Sequence, residues 1–550
     1  MIKLTLNNVQ LVIDDTTQVT VEETSPLFVI DAIPVPYTLP FKIPLCPVDD
    51  LALRFLKNID IKEQAGIDNS CSLYLHGRVI KGLLIVSDVA EYYEVAVIPN
   101  RNAFNPDKNL KDYDWGADLN VGNTGTNGDW MSDDGNAKVG TGYPVVKYNY
   151  PMIRNEVLDP AQKYINFYET DVTNAFPSSW DPFRKAILFS PQIYLLHIID
   201  EVFKQSGLQN IGDWLSISDI KALVVYNNYV YANNIAFLNP NIANHIPDVK
   251  TSEMLNALRK YFNIGILFDF DKGTARFERA VDVLDTKRVH DYTRCTSDLY
   301  AALSGMNKTS YEFANSKDDD DEASVKIVET LDFNTHIEIA TTASLPGGGD
   351  ANTYLVLDEN FFYRYDYGLS SWEIVGYNYI GFKSEANPLN KLDIAIGAPI
   401  CERHNSDVPT VSTRTWNTPV VNQKYGNSKF TFRIYFYRGV VLCDGTDFPR
   451  FTYGTITNLG VRTGAADIGD MCLHWNRENG IYETQWKRWI DFLSQTKQYN
   501  FTGKLNASQI NTFSFFDKIR VKNREFLCGR KRTTYNAYNI LDTEMELYRI

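Results

Sequence analysis

The chain has 550 residues, too many for one ordinary hydrophobic core, and length alone argues for about three or four domains. Hydrophobic residues make up 44% and charged residues 22%, which excludes a disordered chain, and no apolar run approaches the ~18–20 residues of a membrane-spanning helix. The net charge of −14 excludes a general grip on nucleic acid, because phosphate binding needs clustered Lys and Arg.

The first hundred residues read as β. MIKLTLNNVQLVIDD alternates like a first strand and lacks the charged-then-apolar layout of a secretion signal. YTLPFKIPL (37–45) also alternates, and Pro40 and Pro44 demote it to an edge strand or extended arm. DDLALRFLKNI (49–59) predicts a short helix, capped by Asp49 or Asp50, with Leu51, Leu53, Phe55 and Leu56 on its apolar side. CSLYLHG, VIKGLLIVSDV and YYEVAVI (71–98) then form a meander split by turn residues.

Residues 105–143 are rich in Gly, Asn and Asp and cannot bury enough apolar area for a core. They read as a long functional or mobile loop, with Trp115 and Trp130 docking part of it onto a neighbour. In FSPQIYLLHIIDEVFKQSGLQ (189–209), Ser190 predicts an N-cap, Pro191 a first turn and Gly207 the left-handed end. Leu195, Ile199, Val202 and Phe203 form its stripe.

KTSEMLNALRKYFNIGILFDFDKGTARFERAVDVLDT (250–286) reads as a helix followed at once by a hairpin. Thr251 or Ser252 caps it, Leu255, Leu258 and Phe262 face one way, and Asp271-Lys272-Gly273 makes the turn.

From about 292 to 461 the pattern is β again. It includes a Tyr- and Phe-rich hairpin pair at 354–377, and KFTFRIYFYRGVVL (429–442) with Phe430, Phe432, Ile434 and Phe436 on one face. YETQWKRWIDFLSQ (482–495) is a helix that gathers Trp486, Trp489, Ile490 and Leu493, and the last 35 residues read as three strands. The expected class is α+β, mainly β. It comprises several β-barrel or sandwich-like domains with a small helix-plus-hairpin α/β domain. The expected divisions are 1–100, 101–185 (insertion and linker), 186–290, 291–480 and 481–550.

Chemistry is sparse. No HExxH, P-loop, GxSxG or GxGxxG occurs. Seven widely spaced cysteines without CxxC read as reduced thiols. Cys401 with His404, and Cys472 with His474, supply at most half the four ligands of a zinc site and read as structural thiols and surface imidazoles. Asp318, Asp319, Asp320 and Asp321 lack the alternation and Gly of a calcium loop, and 120–142 is a better but still poor calcium candidate. His197 reads as packing or interface. Arg530, Lys531 and Arg532 read as the solvent face of a strand. The expectation is no catalytic residue, no cofactor and no metal. Interface candidates are Trp115, Trp130, Tyr354, Tyr363 and Tyr365.

Four segments carry a family resemblance: YTLPFKIPL, LFSPQIYLLHIIDEVFKQSGL, MLNALRKYFNIGILFDFDKGTARFE, and NGIYETQWKRWIDFL leading into the terminal strands. In this order they resemble baseplate-hub or tail-tip proteins of tailed phages, in particular those of Bacteroidota. The resemblance implies a homotrimeric, ring-shaped hub in the virion tail tip, made in the bacterial host cytoplasm. Its barrel-like domains would dock under the tail tube and receive a spike, fibre or lytic protein on the other face. DNA would pass through the lumen without stable binding, and no membrane span is implied. The alternatives are a receptor- or glycan-binding tail protein centred on Trp115 and Trp130, and a wall-degrading enzyme.

Overall fold

The computed structural model describes residues 2–53, 70–99, 104–116, 130–155, 164–167, 188–232, 241–302, 310–315, 336–356, 361–377, 380–383, 389–405, 415–420, 432–442, 450–455, 469–475 and 479–550, with positions 56 and 157. The class is α+β and mainly β, with several separate sheets.

The N-terminal meander forms as its alternation predicts. Strand Ile2–Leu6 pairs with Val9–Leu11 and with Ser70–Leu75, which is followed by Arg78–Val89 and Tyr92–Pro99, all antiparallel. Phe41–Pro44 closes the far edge, where its prolines remove no ladder bond from a second neighbour. Asn7 and Asn8 both take positive φ, as a two-residue hairpin turn requires. Leu4, Leu73, Val95 and Val97 line the inner face.

The predicted 49–59 helix is shorter and differently turned. It spans Pro47–Ala52 with Cys46 at its cap, and its end at 59 lies outside the described residues. Of the predicted apolar side Leu53 and Leu56 are buried and Leu51 is exposed, whereas Asp49 and Asp50 point inward. Asp49 accepts the Val12 N–H at 3.0 Å and Asp50 accepts the Tyr93 hydroxyl at 2.7 Å. Side-chain partners supplied by the sheet override the helical periodicity.

The Gly/Asn/Asp-rich stretch is not all loop. It contains a helix, Trp130–Lys138, that its composition does not announce. Asp134 ties this helix down by pairing with Lys138 and accepting the Tyr148 and Tyr150 hydroxyls at 2.9 and 2.8 Å.

The Ser190 helix starts later than predicted. Gln192–Tyr194 is a strand between Leu223–Val225 and Tyr148–Asn149, so the helix spans Leu195–Gln205. Ser190 is buried and donates to Asn227 Oδ1 at 2.8 Å. Sheet pairing outcompetes the cap. The stripe is buried as expected, and Gly207 takes φ +68 while Leu208 N–H bonds back to the Phe203 carbonyl at 2.9 Å.

The helix-plus-hairpin unit forms: helix Thr251–Phe262, Asn263 left-handed, then strands Ile264–Asp269 and Thr274–Arg279 with Gly273 at φ +63. Its cap is Lys250, whose N–H bonds the Glu253 carboxylate at 3.0 Å. Thr251 instead donates its hydroxyl and N–H to the Lys108 carbonyl, because the chain near 106–110 lies against this end. Gln209–Ile211 adds a third, parallel strand.

Strand Ile434–Leu442 departs from simple alternation. Phe432, Ile434 and Phe436 are buried, but so are Tyr435 and Tyr437, and Phe430 lies outside the described residues. The strand is interior to its sheet, between Leu223–Val225 and Arg450–Thr455, and side chains on both of its faces are buried. Beside Leu223–Val225, Asp219 of the short helix Ser218–Lys221 accepts the Met471 N–H at 3.3 Å. Burial pushes its carboxyl up to about 6, against that bond and Arg438. A raised carboxyl binds its proton more tightly when folded, so it costs stability as pH rises from about 4 to 6. Asp219→Asn is therefore expected to raise stability by about 1 kcal/mol above pH 6 and not below pH 4, read as melting temperature against pH.

The C-terminal sheet runs from Val289–Asp291 through Lys518–Val521, Arg524–Tyr535, Ile540–Arg549 and Gln498–Gly503 to Thr296–Ala301. Its first and last strands are halves of one continuous segment, bent at 292–295, so the sheet curls back to where it began. Tyr292, Phe501, Phe515, Ile519, Phe526 and Leu547 fill the inside. The helix before it spans Lys487–Gln495, and Trp486, Trp489, Ile490 and Leu493 are all buried.

Candidate functional site: a charged groove between the sheets

Strand Val19–Thr24 leaves the N-terminal region and pairs antiparallel with residues 530–535 of the terminal sheet. Bulged Gly529 divides the edge of the long strand Arg524–Tyr535: Lys518–Val521 takes one half and Val19–Thr24 the other. The register places Glu22 opposite Arg532 and Glu23 opposite Lys531, so opposite charges meet across the ladder.

The two faces differ. On the outer face Arg532 pairs with Glu22, Arg530 pairs with Glu546, and Tyr37 donates its hydroxyl to Glu22 at 2.7 Å. On the inner face Glu23 receives Lys531 Nζ at 2.7 Å and a two-pronged Arg78 at 2.7 and 3.1 Å. Burial alone would raise the Glu23 carboxyl; Arg78 and Lys531 outweigh it and hold it well below the usual range. Burial opposes the Arg78 charge, and Glu23 outweighs that too, raising its pKa. The basic cluster thus splits: Arg530 and Arg532 are partly exposed, but Lys531 is only 2% exposed, because Glu23 neutralises it there.

Above this triad lies a groove of about 580 Å³. Its walls are Pro34 and Pro36, Val79 and Lys81 of the N-terminal sheet, Phe270 to Lys272 at the hairpin tip, and Phe513 with Phe515 after the helix Ala507–Thr512. Lys531 Nζ sits 4.9 Å from the Phe513 ring centre. Lys272 holds Asp269 at 2.6 Å. Burial and the Asp269 charge raise the Asp271 carboxyl. The arrangement is a set of mutually paired charges under apolar walls, suited to holding elements together and to receiving a protein surface.

The candidates named from sequence lie elsewhere. Trp115 is buried, its indole N–H on the Leu110 carbonyl at 2.8 Å and its ring beside His197 of helix Leu195–Gln205. It anchors its loop inside the chain and presents no open face to a sugar. His197 is packing, its pKa pushed down to about 4 by burial. Trp130 begins the helix Trp130–Lys138, and its side chain lies outside the described residues.

Tyr354, Tyr363 and Tyr365 share one face of a small sheet made of Ile337–Ile339, Thr353–Val356, Phe361–Asp366 and Ser371–Tyr377. The first two are buried; Tyr365 is half-buried against Trp372 and Tyr367. Cys472 and His474 are buried, whereas the Cys401 and His404 side chains and the Asp318–Asp321 run lie outside the described residues. Among the described residues no three His, Cys, Asp or Glu gather as a metal site, and no helix is long and apolar enough to cross a membrane.

Sequence reasoning missed Glu23 and Arg78 and placed Lys531 on a solvent face, where Glu23 instead holds it buried. The available signal was the pair Glu22-Glu23 in one strand-forming run and Arg530-Lys531-Arg532 in another, charge-complementary at the same period.

No protein-family model matches the chain, and no curated protein matches it. Among solved structures it aligns with the 43 kDa tail protein of prophage MuSo2 from Shewanella oneidensis, at 9% identity and TM-score 0.32, covering 99% of this chain and 95% of that one. It also aligns with the tail protein from Neisseria meningitidis MC58, at 8% identity and TM-score 0.32, covering 100% and 95%. Scores this low carry neither fold nor function across.

Proposed function

We propose that this chain is a structural subunit of a phage tail tip or baseplate, forming a homotrimeric ring that joins the tail tube to distal spike, fibre or lytic components. It works by assembly, without turnover, in the virion. The carrying observation is that three of the four segments resembling hub proteins pack into one unit. Helix Leu195–Gln205, the helix and hairpin from Thr251 to Arg279, and helix Lys487–Gln495 all contribute to one continuous core. A likeness spread over residues that fold together is a likeness of one body.

The curled terminal sheet and the strand exchanged onto it support the same reading, since a ring needs rigid β surfaces with defined edges. In this reading the divisions 1–100, 101–185, 186–290, 291–480 and 481–550 are building units interlocked by that exchange, and the acidic chain lets DNA slide through the lumen.

Sedimentation of the purified protein, alone and with tail-tube rings, tests the proposal. The expected result is a particle of three chains that binds the rings. A monomer at high concentration that ignores them contradicts it. Zymography on host peptidoglycan is expected to show no clearing.

A further inference from the structure

The strand Arg524–Tyr535 runs for 12 residues, about 40 Å of extended chain, and the free charges at its two ends are opposite. At its start exposed cations gather from distant parts of the chain: Arg294, Lys497, Lys522, Arg524 and Arg549. Backbone bonds hold them together. Lys522 N–H donates to Thr293 Oγ1 at 3.0 Å, Ile550 N–H to the Glu525 carbonyl at 3.0 Å and Arg549 N–H to the Lys497 carbonyl at 3.2 Å. Lys522 and Asn523 make a tight turn at φ 49 and 62. Among the described residues none of these cations forms an ion pair, and Glu525 is already bonded to Arg520 and Lys518 at 2.8 and 3.5 Å. Asp291, near Arg294 and Arg520, offsets only part of the positive excess.

At the far end the sign reverses. The turn after Tyr535 meets the loop before strand Val19–Thr24, where Asp15 accepts the Tyr538 hydroxyl at 2.7 Å. Asp14, Asp542 and Glu544 are exposed there as well. Arg532 is taken up by Glu22, and Lys504, beside the Gly503 that pairs with Thr543, offsets one carboxylate. The excess at this end is negative.

We propose that the basic end of this strand receives the acidic end of a neighbouring copy, so that copies associate head to tail; the inference rests on the ring-forming reading above. Both complementary surfaces are on this chain, at opposite ends of one sheet. Two basic ends or two acidic ends repel, which disfavours a face-to-face pair and leaves the head-to-tail contact that a ring requires. A chain of net charge −14 repels its own copies on average, and the basic end is where that repulsion turns into attraction. Duplex DNA fits less well, because Asp291 and Glu525 stand among the cations and a phosphate backbone offers them no positive partner.

The test uses the full-length protein. Its dissociation constant for self-assembly is expected to rise at least about tenfold between about 0.05 and 0.5 M NaCl. Lys497→Glu with Arg524→Glu weakens assembly by a similar factor and flattens its salt dependence. Asp15→Lys with Asp542→Lys does the same. A chain carrying all four reversals assembles again, because each end has exchanged its sign; a surface that had merely been damaged does not recover.

If the wild type is oligomeric and the Lys497→Glu, Arg524→Glu chain keeps its mass and dissociation constant, the contact is wrong and the hub reading stands. Failure of the four-reversal chain to assemble shows that the two ends do not meet, and the proposal fails. If the basic-end variant loses a tail-tube ring or a DNA duplex while self-assembly is intact, that end serves another partner and the proposal fails. If the wild type is monomeric even with tail-tube rings, both readings fail.

Discussion

Replacing Glu23 by glutamine is expected to loosen the junction between the N-terminal strand and the terminal sheet more than any other single change at the groove. Glutamine fills the same space but leaves Arg78 and Lys531 facing each other without a counter-charge, and Lys531 is 2% exposed. Stranding buried charge in this way costs about 3–5 kcal/mol. A chain of this size need not unfold in one step, so the effect is best read locally. Hydrogen exchange at Val21 and Thr533, paired across the junction, should accelerate on the order of a hundredfold or more.

The pH dependence has a definite sign. The folded Glu23 carboxyl lies below its unfolded value, so its contribution is complete above about pH 4.3 and fades as pH falls. The deficit of Glu23→Gln relative to wild type should therefore be full at pH 7 and shrink below about pH 4. Replacing Glu23, Arg78 and Lys531 together by methionine should recover most of the loss, because a buried ion cluster and an apolar one differ little in net stability. Exchange rates in the triple variant as fast as in Glu23→Gln would show that the charges do not govern the junction.

The second large effect is expected at Arg259, on the helix Thr251–Phe262. Its guanidinium is buried and donates to the carbonyls of Pro26 at 2.7 Å, Ala32 at 2.5 Å and Val29. Burial lowers its pKa to about 10, with Asp31 opposing. These three bonds pin the strap that follows strand Val19–Thr24. The strap in turn seats Phe28 between Trp489 and Tyr548, with ring centres 5.3 and 4.3 Å away.

Arg259→Met leaves three carbonyls unmet, at a cost of about 3 kcal/mol or more. Protease cleavage within 26–33 and a change in tryptophan emission are the expected readouts. Arg259→Lys should lie between, because one ammonium cannot span all three carbonyls. A methionine variant as protease-resistant as wild type would show that the strap is held by Phe28 packing alone.

Elements legible in the sequence share one property: their partners are close in the chain. The meander, the hairpin at Ile264–Arg279 and the terminal hairpins are set by alternation and by turn residues such as Gly273 and the Lys522-Asn523 pair, both at positive φ. The helix at Lys487–Gln495 is read from its own apolar stripe.

Elements misread depend on distant chain. Ser190 carries a good cap signal, yet Gln192–Tyr194 extends because strands Tyr148–Asn149 and Leu223–Val225 need it. Helix Trp130–Lys138 has no apolar stripe and forms where Asp134 meets two tyrosines. Trp115 reads as docking its loop onto a neighbour, but the sequence does not say which; helix Leu195–Gln205 of the same chain supplies the wall.

By itself, the sequence determined the β-rich class, the local units and their order, since hydrophobic period and turn chemistry act within a few residues. Only the tertiary structure decided that residues 19–24 complete the edge of a strand some five hundred residues later. It alone decided that Glu23 is neutralised inside that junction and that the terminal sheet curls back on one bent segment. Strand pairing at such separation is chosen by the register that satisfies the most buried backbone and charge at once, and no local window contains that competition.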